Sequence, residues 1–161
     1  MIWVFLFWAQ SAAQQQVQRG EALFLETSRG CMNCHALKGH GTAVGPDLSV
    51  IGRLSPQAIV TAIRSSITQY VQSVKLKSGE SFPGMPAGND DKTLQFYDVS
   101  KMPPELRKID RAELGGTANQ DQWKHPPSVA NYTNEQLADL IAYIRSSVTG
   151  AAKKVDPANL E

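Results

Sequence analysis

The chain has 161 residues, with 16 Lys and Arg against 15 Asp and Glu for a formal net charge of +1; 42% of residues are hydrophobic and 19% charged. This balance lacks the basic footprint of a nucleic-acid binder and the low-hydrophobicity, high-charge profile of a disordered chain. The length suits one compact domain.

The amino end reads MIWVFLFWA, an apolar run far short of the roughly 20 residues that span a bilayer. In the following QSAAQQQ, Ser11 and Ala13 are small residues in the relation that signal peptidase reads. Residues 1–13 are therefore expected to be a signal peptide, with no transmembrane segment and a periplasmic or secreted product. No Lys or Arg precedes the run, and a retained membrane tether is the alternative. Outside the cytoplasm thiols are oxidised or chemically captured. Something is expected to occupy Cys31 and Cys34, the only two cysteines.

From Gln14 to Glu26, Val17, Gly20 and Phe24 fall at i, i+3 and i+7 and predict a helix, stopped by Gly30. Gly39, Gly41 and Gly45 then predict a loop. Ser55-Pro56 is an N-cap followed by proline at the first helical position, and Ile59, Ile63 and Ile67 share one face of a second helix reaching to about Ile67. YVQSVKLKSGESF alternates apolar and polar residues and breaks at Ser78-Gly79, as a hairpin does. TLQFYDV and LRKID are further strand candidates around the turn SKMPPE, which places a small antiparallel insertion at about residues 70–115. GGTANQDQWKHPPSVAN reads as a loop. Thr133 and Gln136 form a capping box for a last helix with Leu137, Leu140, Ile141, Ile144 and Val148 on one face. Residues 150–161 lack periodicity and are expected to be a flexible tail. The domain is thus 14–149.

The chemistry concentrates in Cys31-Met32-Asn33-Cys34-His35. Cys-x-x-Cys-His is the pattern of covalent c-type haem attachment. Two thiols three residues apart on one turn can add to two vinyl groups on one edge of the porphyrin. The next residue then projects over the ring centre, where its imidazole can bind iron. A disulfide oxidoreductase would want a strand-helix-strand context that is missing. A structural zinc site would need four ligands, completed from His35, His40 and His125. A plain disulfide leaves His35 unexplained. About ten residues on comes Gly45-Pro46-Asp47-Leu48. Pro46 has a carbonyl but no N–H, so it can only accept the second ring N–H of a ligating histidine. Leu48 can pack on the porphyrin.

GEALF before CMNCH, GPDL after it and LADLIAYI near the end resemble the class I cytochrome c family. The longer stretches GHGTAVGPDLSVIGRLSPQAIVTAI and VKLKSGE…TLQFYDV look like a bacterial subgroup with a β-insertion before the last helix, often associated with dehydrogenase-like partners. The resemblance implies a mainly α cytochrome c fold with a small antiparallel β insertion. It also implies that the first and last helices cross at right angles, Gly20 and Phe24 meeting Leu140 and Tyr143. It implies one haem c, bonded through Cys31 and Cys34, with His35 as proximal ligand.

In that family the second axial ligand is usually a Met just before the last helix. Here WKHPPSVANYT stands there, and His125 takes the place of the Met. His125 is the expected distal ligand, with Met102 and Met85 as alternatives and an open sixth position as a third. Arg53 and Trp123 carry N–H groups that suit haem propionates. The expected function is single-electron transfer between exported redox partners, without enzymatic activity. The alternatives are a haem enzyme or a gas- or peroxide-binding sensor, and a permanent electron-transfer subunit of a dehydrogenase or respiratory complex.

Overall fold

A computed structural model describes residues 10–65, 70–120 and 123–160; the apolar run at residues 1–9 and the helix position expected at Ile67 lie outside them. The elements are, in order, helix α1 (Ala12–Leu25), strands β1 (Ala36–Leu37) and β2 (His40–Gly41), helices α2 (Leu48–Ile51) and α3 (Pro56–Arg64), strands β3 (Gln72–Leu76), β4 (Ser81–Asn89), β5 (Thr93–Asp98), β6 (Glu105–Asp110) and β7 (Leu114–Asn119), and helices α4 (Pro127–Ala130) and α5 (Asn134–Thr149). No helix among the described residues is long and apolar enough to cross a membrane.

α1 begins two residues before the hydrophobic stripe suggests, because Ser11 and Gln14 cap each other's backbone N–H groups. Thr133 and Gln136 do the same for α5, and Gly150 ends it in the left-handed conformation at φ 74°. α1 lies across α5 at Gly20, where a Cβ would overlap the Asp139 carbonyl and come within 2.8 Å of Tyr143 Cβ. Only glycine permits so close an approach. Beside it the Arg19 guanidinium donates from Nε and Nη2 to the two carboxylate oxygens of Asp139, at 2.7 and 2.9 Å. Phe24 meets Tyr143 at a ring-centroid distance of 5.5 Å. Phe24, Leu137, Leu140, Ile141 and Ile59 are fully buried in this helical core.

The middle of the chain forms a second body with its own core. The five strands lie in the order β6-β5-β4-β3-β7, all antiparallel. β6 and β7 are opposite edges of this sheet, yet residues 111–113 join them. Four inter-strand spacings of about 4.8 Å would put flat edges about 19 Å apart, whereas four Cα steps reach about 14 Å at most. The sheet therefore curls into a small half-open barrel. Val74, Phe82, Phe96 and Ile109 fill it, with Leu76, Leu94 and Leu114 around them. The Arg107 guanidinium covers the Phe82 ring at 4.1 Å.

The mainly α expectation is overturned. Of the described residues 37% are helical and 25% strand. The excess over the expected small insertion comes from segments whose composition disguises them. β7 is Leu-Gly-Gly-Thr-Ala-Asn, which was expected as loop, and β4 carries Pro83, Gly84, Pro86 and Gly88. Beyond Gly84, β4 outruns β3, and it bulges between Pro86 and Gly88. Pro86 lies on that stretch, where β3 no longer flanks it and proline is tolerated; Pro83 lies within the pairing, opposite Ser73.

The flexible-tail expectation for 150–161 also gives way. Val155 and Leu160 are buried in the helical core. The Gln16 carboxamide, itself buried, donates to the Val155 carbonyl at 2.9 Å and accepts from its N–H at 2.8 Å. Two apolar anchors and one amide clasp hold the segment without any periodicity.

Candidate haem site

The Cys segment lines a mostly apolar cavity of about 420 Å³, whose walls come from both the helical core and the barrel. Cys31–Asn33 form a single 3-10 turn, so both thiols emerge on one side. The Cys34 carbonyl accepts from the N–H groups of Val44 (3.1 Å) and Gly45 (2.6 Å), folding the loop back on the motif. Both cysteines are free thiols. Burial pushes Cys31 up to about 12, with Cys34 adding to the shift, and burial alone pushes Cys34 up to about 11. Both therefore stay neutral near pH 7.

His35 Nδ1 lies 2.7 Å from the Pro46 carbonyl oxygen. That oxygen can only accept, so Nδ1 carries the proton and Nε2 presents its lone pair. Gly45 makes room for the ring: a Cβ there would sit 2.6 Å from His35 Cε1. Burial lowers the His35 pKa, with the bond to Pro46 opposing in part.

His125 faces His35. The two ring centroids are 6.2 Å apart and the planes 29° from parallel. Burial lowers the His125 pKa, and His35 adds to this; the Ile63 backbone opposes it in part. No acceptor among the described residues completes a hydrogen bond to the buried His125 Nδ1. Trp123 packs on the ring at 5.3 Å and 57°. Two imidazoles sharing one metal, each bonded at about 2.0–2.1 Å with about 1.1 Å more to the ring centre, have centroids about 6.3 Å apart. The pair fits a metal held between them, and the surrounding apolar walls fit a porphyrin.

Cys31, Cys34, His35, Pro46, Leu48, Trp123, His125, Met85 and Met102 all line the cavity. Arg53 does not; it is exposed beyond α2. His40 is exposed on β2, and no group of three His, Cys, Asp or Glu among the described residues could hold a metal ion, which disfavours a zinc site. The barrel contributes Val99 as well as the methionines, and Tyr70 and Val71 precede β3. These were missed. Alternation could have found Val99: Leu94, Phe96 and Asp98 share the barrel's inner parity, so Val99 follows Gln95 and Tyr97 on the other face. Tyr132 belongs to the helical core and not to the cavity lining. Its buried hydroxyl has no partner among the described residues, and its ring lies 5.6 Å from the Arg29 guanidinium.

Comparison with protein families gives a match to the cytochrome c family over residues 17–102. Comparison with curated proteins gives no match. The matched span holds the haem motif, GPDL and both cavity methionines, and stops before His125 and α5. With more than half of its 161 residues matched, the chain belongs to the cytochrome c family and is a haem-binding c-type cytochrome of electron transfer.

Proposed function

We propose that the protein is a monohaem electron carrier in which His35 and His125 are the two axial ligands. The observation that carries this is the facing pair of neutral imidazoles at 6.2 Å. The haem, when bound, supplies a one-electron ferric/ferrous couple. The chain's own residues do the rest. Cys31 and Cys34 would hold the haem as thioethers through its two vinyl groups, each S–H hydrogen passing to a vinyl carbon. The Pro46 carbonyl fixes the His35 tautomer and leaves Nε2 to bind iron. Leu48, Ile59, Val99 and Ile144 keep water from the cavity, which favours rapid electron transfer over ligand chemistry.

Export completes the reading: the apolar leader ends in a small-residue cleavage signal, and thioether formation is how two exported thiols escape oxidation. Redox proteins serve as donor and acceptor, a dehydrogenase or respiratory complex among the candidates. The test is the purified, exported protein produced alongside a haem-attachment system. Its intact mass and pyridine haemochrome spectrum are expected to show one haem per chain with both vinyl groups saturated, and its sequence to start at Gln14, which would leave α1 without its first two residues and its Ser11 cap. A colourless protein, or haem released by acidified solvent, contradicts the reading.

A further inference from the structure

The two imidazoles are held very differently. His35 is anchored through Nδ1 to the Pro46 carbonyl at 2.7 Å, while the buried Nδ1 of His125 has no hydrogen-bond partner among the described residues. A ligating histidine normally has that second-nitrogen partner, which orients the ring and raises its basicity. His125 is thus held less firmly than His35: the Ile63 backbone is the one hydrogen-bond partner that bears on its ring among the described residues, and it completes no bond to Nδ1. A second donor waits in the same cavity. In the turn between β5 and β6, Lys101 and Pro103 are exposed, whereas Met102 is half-buried and lines the cavity with His125. The turn thus directs Met102 inward, as it does Val99 at its start. The Met102 thioether sits on a chain of three rotatable bonds and adapts readily.

Resting on the two-imidazole reading above, we propose that the sixth ligand changes with oxidation state: His125 binds ferric iron, and Met102 replaces it on reduction. A soft thioether favours the electron-richer ion and raises the potential relative to a second imidazole. In the step, one electron from a one-electron donor takes iron from ferric to ferrous. The bond from iron to His125 Nε2 breaks with its electron pair returning to the neutral imidazole, and a lone pair of Met102 Sδ forms the new bond. No proton is needed. Re-oxidation reverses the exchange. Met85 lines the same cavity but lies within β4, paired with Tyr97 of β5. Met102, in the turn, can move without opening the sheet.

The experiment uses the holoprotein and its Met102→Leu and Met85→Leu variants. Proton NMR of the dithionite-reduced protein is expected to show the far-upfield methyl of an iron-bound methionine. That signal should vanish in Met102→Leu and persist in Met85→Leu. Cyclic voltammetry is expected to show separated reductive and re-oxidative waves at fast scan rates, merging into one reversible couple in Met102→Leu. A ferric protein with two imidazoles and a reduced one without the upfield methyl overturns the exchange and leaves the carrier reading standing. Loss of the methyl in Met85→Leu alone overturns the choice of Met102. A ferric protein without two imidazoles overturns the two-imidazole reading itself.

Discussion

At the residue scale the site rests on two histidines whose environments keep them neutral. The folded pKa of each is lowered, chiefly by burial. Ligand availability is therefore intact above the ordinary value near 6.5 and is lost only as pH falls through the lower folded value. The visible spectrum of the ferric holoprotein is accordingly expected to hold as pH is lowered through 6.5 and to change only well below it; a transition centred at 6.5 would mean that the imidazoles are not shielded. Replacing His125 by Met exchanges nitrogen for sulfur and is expected to raise the midpoint potential, read by redox titration, and an unchanged potential would count against ligation by His125. The haem loop was readable from sequence because its chemistry is local: CMNCH and GPDL lie within one loop, and the single bond from His35 to Pro46 joins them. The setting of Tyr132 was not readable, since it is made by Cys31 and Arg29, far away in sequence.

Elements show where local rules suffice and where they fail. Both capping boxes, the Ser55-Pro56 start of α3 and the stripe of α5 follow from spacing alone. β7 and the second half of β4 do not, because glycine and proline normally mark turns, and only pairing with β3 and β5 makes these segments strands. The contact of α1 with α5 is the element-level feature that most constrains the helical body. Gly20→Val would drive a side chain into the Asp139 carbonyl and Tyr143. Overpacking of this kind costs about 1–3 kcal/mol, and urea unfolding of the holoprotein is expected to move to lower denaturant with an unfolding free energy reduced by that amount. An unshifted midpoint would show that the helices can part there without cost.

For the whole molecule, two cores meet at one cavity. The helical body supplies Cys31, Cys34 and both imidazoles; the barrel supplies Val99, Met85 and Met102. That division explains why the functional loop could be read before the architecture: the motif belongs to one body, while the opposite wall arrives from a sheet curled by residues 111–113. The carboxyl segment ties the helical body together through Val155, Leu160 and the Gln16 clasp. Deleting residues 151–161 leaves the buried Gln16 amide unpartnered, at about 1–3 kcal/mol, besides uncovering apolar surface. Thermal unfolding of the truncated holoprotein is expected at lower temperature with its ferric spectrum unchanged, and a changed spectrum would place the tail in the haem site itself.

The most direct test of the account is near-infrared magnetic circular dichroism of the ferric holoprotein. Two imidazole nitrogens on one low-spin iron give a charge-transfer band at shorter wavelength than one imidazole and one thioether. The account predicts the two-nitrogen band in the native protein and its replacement by the sulfur-type band in His125→Met. A sulfur-type or high-spin signature in the native protein would contradict it.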